Sequence, residues 1–368
     1  MSLDFAKLAN EFVANVHPYV PGKPVSELKR ELGLTRISKL ASNENPLGCS
    51  PRVHEAMSAH QSEMARYPDG SSYELRDALA NFYAVEANQI VLGNGSNEVL
   101  ELIARTFAGA GDEIIFSQYA FAVYAISAQL VGATPVQVPA KDFAHDLDAM
   151  LAAITDKTKI IYIANPNNPT GTVFNRATWR AFMAQVPGDV IVVMDEAYIE
   201  YAQDLMGDDY PDSLADMASY PNLMVTRTFS KAYGLASLRV GALIAHADAT
   251  ALINRVREPF NINALAQVGA VAALQDQDFI AQSIEVNRQG MAQMTAYLEQ
   301  KSLQYIPSFG NFVTVNFGAN AVRVNQQLLE LGVIVRPQGG YGMNEHLRIS
   351  IGSESENAHC IEALEKIL

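Results

Sequence analysis

Four short clusters along this 368-residue chain carry groups that could act together on one ligand. In Arg227-Thr228-Phe229-Ser230-Lys231-Ala232-Tyr233-Gly234 an amine stands among small hydroxyl residues and a glycine turn, with Arg239 eight positions beyond it. One amine, one hydroxyl and one guanidinium would surround a common anion there, although a lysine near a strand end is more often a solvated surface residue. Asp195-Glu196-Ala197-Tyr198 closes an apolar run, where an aspartate costs desolvation unless it is paired. It reads either as a cap or salt-bridged residue, or as a carboxylate that holds a cationic ring nitrogen. Asn165-Pro166-Asn167-Asn168-Pro169-Thr170-Gly171 is an ordinary turn by composition. Its two prolines stiffen it, which suits a loop that presents an amide at a fixed place. In Gly93-Asn94-Gly95-Ser96-Asn97-Glu98 the glycines permit a tight turn, Ser96 or Asn97 serves as a cap, and the free N–H groups at a helix start attract an anion. Taken alone, it reads more readily as a plain strand–helix turn. It is neither a Walker loop nor the dinucleotide spacing.

These clusters need a frame that brings them to one edge. Short apolar runs alternate with helical periodicity from about residue 90 to 245, and predict strands at Gln89–Leu92, Glu113–Phe116, Pro135–Val138, Lys159–Ala164, Val190–Met194, Leu223–Thr226 and Val240–Ala245. Near-continuous apolar strands alternating with helices predict an α/β fold: a mostly parallel seven-stranded sheet with helices on both faces. Each cluster then follows a strand at its carboxyl end, where such sheets bind ligands. After residue 260 the pattern turns to α+β. A long helical run from Ala264 to about Gln300 leads to Asn311–Phe317, a helix near Val322–Leu331, a strand Val333–Arg336, then Leu347–Ile351 and a last helix. The expected organisation is an N-terminal arm over 1–35 that joins the smaller unit, a large domain over 36–260 and a small α+β domain over 261–368. Pro18, Pro21 and Pro24 exclude a long helix from the arm, which must lie on the small domain or on another subunit.

Composition narrows the partners. At 49% hydrophobic the chain has ample core-forming residues, and 26 Lys plus Arg against 40 Asp plus Glu leave a formal charge of −14. Nucleic acid is not an expected partner, because no basic block offsets that field. Two distant cysteines, Cys49 and Cys360, have no metal or redox spacing and fit a reducing compartment. No secretory leader is legible, and no run reaches the roughly 18 apolar residues of a membrane helix. The expectation is a cytoplasmic protein with no metal site.

Taken in this order, Asn-Pro-Thr-Gly, Asp-Glu-Ala-Tyr and Ser-Lys-x-Tyr-Gly with a following arginine resemble the fold-type I aminotransferases that use pyridoxal 5′-phosphate (PLP). The likeness is greatest to the histidinol-phosphate aminotransferase family and covers nearly the whole chain. It includes His17-Pro18-Tyr19-Val20-Pro21-Gly22-Lys23-Pro24, Ser42-Asn43-Glu44-Asn45-Pro46-Leu47-Gly48, Arg66-Tyr67-Pro68-Asp69-Gly70, Val335-Arg336-Pro337 and His346-Leu347-Arg348-Ile349-Ser350-Ile351-Gly352.

The resemblance implies a role for each residue. Lys231 would hold the cofactor covalently and shuttle a proton, since burial and nearby cations make a neutral amine available. Asp195 would bind the ring nitrogen, Asn168 and Tyr198 the ring's 3′-oxygen, and Phe121 would stack on the ring, unless it is only a core aromatic. Gly95, Ser96, Asn97, Ser230 and Arg239 would cradle the phosphate, with Thr228 in support and Tyr67 reaching it from the other subunit of a homodimer. Arg348 would grip the substrate's anionic end, with Arg336 as a second anion contact and Tyr19 and Asn43 near the substrate. The implied reaction moves an amino group from histidinol phosphate to 2-oxoglutarate. The same residues would serve an aromatic amino-acid aminotransferase, or a decarboxylase of the same fold. A binding protein on this scaffold is disfavoured by the completeness of the set. A nicotinamide dehydrogenase lacks its glycine fingerprint.

Overall fold

The computed structural model describes residues 3–13, 16, 18 and 22–368. The strand-forming runs assemble into one seven-stranded sheet. From one edge to the other its order is Ile90–Asn94, Val240–Ile244, Leu223–Thr228, Ile191–Asp195, Thr158–Ala164, Glu113–Ser117 and Thr134–Val138. Val240–Ile244 runs antiparallel to both neighbours, and the other adjacent pairs are parallel. Successive side chains of a strand point to opposite faces, so an apolar run feeds two cores. Ile160 and Tyr162 enter a core with Val99, Ile103 and Tyr124 from the helices Ser96–Phe107 and Ala122–Leu130. Ile161 and Ile163 enter the opposite one, with Trp179 and Phe182 of the helix Arg176–Met183. The expected fold class is the one observed.

A second sheet is antiparallel. Phe312–Asn316 lies between His346–Ser350 and Tyr305–Ile306, and Arg336–Pro337 pairs along the far side of His346–Ser350. The helices Gln277–Gln300, Ala321–Glu330 and Glu354–Ile367 cover it through Met294, Val324, Leu328 and Leu364.

Three expectations change. The helical run expected from 264 to 300 is two helices, Ala264–Leu274 and Gln277–Gln300, parted where the Asp276 side chain accepts from the Phe279 N–H and caps the second. The first packs with Pro51–His60 and Tyr73–Tyr83, and Ala266 and Ala270 share a core with Val53, Leu75, Leu79 and Ile90. A boundary at 260 therefore cuts through a packed core. The strand expected at Val333–Arg336 is split: Val333–Ile334 pairs in parallel with Ser38–Lys39, while Arg336–Pro337 joins the antiparallel sheet. Residues just after 36 thus pair with the smaller unit rather than the large one. The arm divides too. Val25–Leu32 forms a helix ended by Gly33 at φ 66, and buries Leu28 against Ala41 and Ile334. Further upstream, Phe12 sits against Gly132 beside the helix Ala122–Leu130, so this stretch lies on the larger unit. Tyr19 lies outside the described residues. Among the described residues, no helix is long and apolar enough to cross a membrane.

Candidate active site

The carboxyl ends of Ile191–Asp195 and Leu223–Thr228, the start of the helix Ser96–Phe107 and the strand His346–Ser350 converge on a cavity of about 280 Å³. Asn43, Ser96, Asn97, Phe121, Asn168, Asp195, Tyr198, Thr228, Ser230, Lys231, Arg239, Arg336 and Arg348 all line it.

Strand alternation aims the carboxylate. Asp195 ends a buried run, and is itself 5% exposed. Its Oδ2 accepts from the Tyr124 hydroxyl at 2.7 Å and its Oδ1 from the Thr226 hydroxyl at 2.8 Å. Burial pushes the carboxyl up from its ordinary range, and those two hydrogen bonds pull it back. The next residue, Glu196, turns the other way: it pairs with Arg227 at 2.8 Å and accepts from Ser213. The same alternation sends Thr226 and Thr228 toward the site and Arg227 away from it.

Lys231 is half-buried. Its Nζ donates to the Ser42 carbonyl at 3.0 Å and lies 5.7 Å from the centroid of the Tyr198 ring. Burial first, then the positive charge of Arg348, lower its pKa from 10.5 to about 7, and the pull of Glu44 in the other direction is the weaker effect. A neutral amine is thus present near pH 7.

The amides orient a phenol. Asn43 Nδ2 and Asn168 Nδ2 both donate to the Tyr198 oxygen, at 2.9 and 3.1 Å. With its oxygen so supplied, the Tyr198 hydrogen is left to donate into the cavity. Asn168 Oδ1 accepts from Arg348, whose other terminal nitrogen donates to the Ala41 carbonyl at 2.7 Å. The guanidinium lies 5.3 Å from the Phe312 ring centroid. Arg336 is the direct cross-strand partner of Arg348. Both residues line the cavity, so an anion bound there would meet two positive charges.

The third feature is an anion cradle. Gly95 precedes the helix Ser96–Phe107 at φ 85, a region that favours glycine, and a Cβ there would lie 2.2 Å from an Arg239 terminal nitrogen. A Cβ on Gly241 would lie 2.3 Å from the Ser96 nitrogen. The two glycines therefore let the Val240–Ile244 strand and a guanidinium come up against the first helical turn. Arg239 donates to Ala236 O at 3.0 Å and to the Ser230 hydroxyl at 3.4 Å, and the Ser230 N–H donates to the Thr228 hydroxyl at 3.1 Å. Helix N–H groups, one guanidinium and a hydroxyl make a site for a phosphate monoester. With an amine for an aldehyde and a carboxylate for a ring N–H, the donor set fits the expected cofactor at each of its reactive ends.

Two expected residues stand apart. Gly95 contributes space rather than a lining side chain. Tyr67 is 83% exposed, stacks on Phe260 at 4.9 Å and does not line the cavity of its own chain. Tyr124, Thr226, Tyr341 and the Ser42 carbonyl were not among the expected site groups. Thr226 was within reach, since it stands two residues before Thr228 on one strand face. Tyr124 carried no local signal beyond its place one helical turn after Phe121.

The chain matches the family described as aminotransferase class I and II over residues 35–364. It is 57% identical to histidinol-phosphate aminotransferase 2 of Hydrogenovibrio crunogenus over 97% of this chain and 95% of that one. It is 53% identical to histidinol-phosphate aminotransferase 2 of Pseudomonas aeruginosa over 99% of each. Its fold is similar to the crystal structure of histidinol-phosphate aminotransferase from Sinorhizobium meliloti in complex with pyridoxal-5′-phosphate, with a TM-score of 0.89, 26% identity and 98% of each chain covered.

Proposed function

The chain belongs to the class I and II aminotransferases, and on that premise we propose that it uses pyridoxal 5′-phosphate to move the amino group of histidinol phosphate to 2-oxoglutarate. The observation that carries the substrate reading is the 57% and 53% identity, over nearly the whole chain, to two proteins named histidinol-phosphate aminotransferase 2. Arg336 and Arg348 at the cavity fit an anionic group on the amino donor.

When bound, the cofactor supplies an electron sink for the carbon that loses its proton. The protein does the rest. Lys231 would hold the aldehyde end until the donor's amine displaces it, and its freed neutral amine would then take the proton from the donor's α-carbon and return it at the cofactor's C4′. Asp195 would accept a hydrogen bond from the ring nitrogen, and Tyr198 and Asn168 would donate toward the 3′-oxygen. Phe121, which lines the cavity, would cover the ring face. Ser96, Asn97, Ser230 and Arg239 hold the phosphate. Amino donor and oxo acid then occupy the site in turn, with ping-pong kinetics.

The deciding experiment is a stopped-flow half-reaction on the PLP-loaded enzyme without oxo acid. It compares histidinol phosphate, phenylalanine, tyrosine and threonine phosphate by conversion of the cofactor to its amine form. Fastest conversion with histidinol phosphate supports the reading. Faster conversion with the aromatics makes the protein an aromatic aminotransferase, and carbon dioxide release without the amine form overturns amino transfer.

The amine attacks only when neutral, and its pKa of about 7 sets the pH at which it does so. Covalent uptake of PLP by the apoenzyme is expected to speed up as pH rises through about 7 and to level off above it. A midpoint near that of a free lysine, followed by absorbance after mixing, would reject the amine's placement among Arg348 and Arg239.

We also read the enzyme as a cytoplasmic homodimer with shared sites, Tyr67 completing the partner's phosphate cradle. The support is an exposed apolar group around it, Met64, Tyr73 and Phe260, of the kind that marks interfaces, and two free thiols, Cys49 and Cys360. Mixing Tyr67→Phe and Lys231→Ala proteins is expected to recover up to about a quarter of wild-type activity. Half the random dimers are then hybrids, each with one intact site of two. No recovery, with subunit exchange demonstrated independently, would count against shared sites.

A further inference from the structure

Tyr124 makes a buried contact to the chemistry that none of the roles above uses. The residue is fully buried, and its hydroxyl donates to Asp195 Oδ2 at 2.7 Å. Its ring lies parallel to that of Tyr162, at 4.8 Å and 4°. Tyr162 is held in turn by donation from its hydroxyl to the Leu100 carbonyl at 2.8 Å, in the helix that begins at the phosphate cradle. Phe121 meets the Tyr124 ring edge-on at 6.1 Å. One phenol therefore touches both the residue read as the ring's cover and the carboxylate read as its nitrogen partner.

A buried tyrosine needs some acceptor, so a core role would leave the choice of acceptor open. Here the acceptor is a carboxylate with 5% exposure whose other oxygen is also supplied by a buried hydroxyl, that of Thr226 at 2.8 Å. Hydrogen bonds to the charged form favour that form, and burial opposes it. Without the donors, a buried carboxylate is the stronger base and competes for the proton that the cofactor's ring nitrogen must keep.

We propose that Tyr124 is a positioning residue for amino transfer: its hydroxyl, together with that of Thr226, keeps Asp195 an oriented anion so that the cofactor's ring nitrogen stays protonated. The inference rests on the reading that PLP binds with its ring nitrogen at Asp195. Tyr124→Phe removes the hydroxyl and leaves the ring stack, and Thr226→Val removes the second donor at nearly constant volume. Each holoenzyme is loaded with nitrogen-15 PLP, and the ring-nitrogen resonance is read by NMR beside kcat and KM.

The wild type is expected at the pyridinium position. Both variants should move toward neutral pyridine, with kcat down roughly tenfold and KM changed less than about twofold. Tyr162→Phe keeps the stack and loses only the bond to Leu100, so its resonance should stay at the wild-type position. Should Tyr124→Phe not fold, Thr226→Val decides alone. Unchanged resonances in the folded donor variants overturn the inference, and so does a Tyr162→Phe shift as large as that of Tyr124→Phe. A wild-type enzyme that binds no PLP, or holds it as neutral pyridine, overturns the underlying reading instead.

Discussion

Lys231→Ala enzyme is expected to lose amino transfer by at least about 10³-fold, the scale of a positioned acid–base group, and to hold PLP that borohydride no longer fixes to the chain. The side chain is the amine at the cavity whose pKa is brought down to about 7, chiefly by burial and then by Arg348. Alanine removes that nucleophile and its proton shuttling together. It leaves Arg239, Ser230 and the glycine-opened helix start untouched, so noncovalent cofactor should remain. The measurement is mass spectrometry of borohydride-treated holoenzyme beside steady-state rates. Cofactor fixed at a different lysine, or activity within tenfold of wild type, would sink the assignment.

Asp195→Asn should lower kcat by about 10²–10³-fold, the cost of removing one preorganised electrostatic contact, with the fold as stable as before at pH 7. An amide has nearly the shape of the carboxylate but no charge with which to hold a protonated ring nitrogen. Its NH₂ group would also face one of two hydroxyl donors, Tyr124 or Thr226. The stability half of the prediction comes from the sign of the shift. Burial raises the Asp195 pKa above its ordinary value, so in the wild type this group favours the fold more as pH falls and less as it rises. Asparagine removes that dependence and the buried charge with it. Thermal unfolding of the apoenzyme at pH 5 and pH 8 checks this. A mutant that keeps activity within a few-fold, or that unfolds many degrees earlier at pH 8, would contradict the argument.

How much of this was legible before the structure differs from residue to residue. The strand Ile191–Asp195 was readable because its run is apolar throughout, a local property of the chain. The four polar clusters were readable because a parallel sheet brings the loops at its strands' carboxyl ends to one edge. The packing of the helix Ala264–Leu274 against Pro51–His60 and Tyr73–Tyr83 was not readable, because its sequence states that it is buried and not against what. Its small residues Gly269 and Ala270 fit closely against Val53 and Leu238 only once the chain has folded back on itself.

The chemistry divides along the same line. Residue types and their order along the chain were enough to single out the lysine, the aspartate, the stiff Asn-Pro loop and the glycine-opened helix start as candidates, because the set together resembles one family although each alone admits a plain structural reading. Tertiary structure alone decided that Tyr124 and Thr226 share one carboxylate, that Asn43 and Asn168 hand their hydrogens to one phenol, and that Arg336 stands across the ladder from Arg348. Such pairings join residues up to 155 positions apart, as for Asn43 and Tyr198. They depend on strand register and interior packing, which local periodicity does not encode.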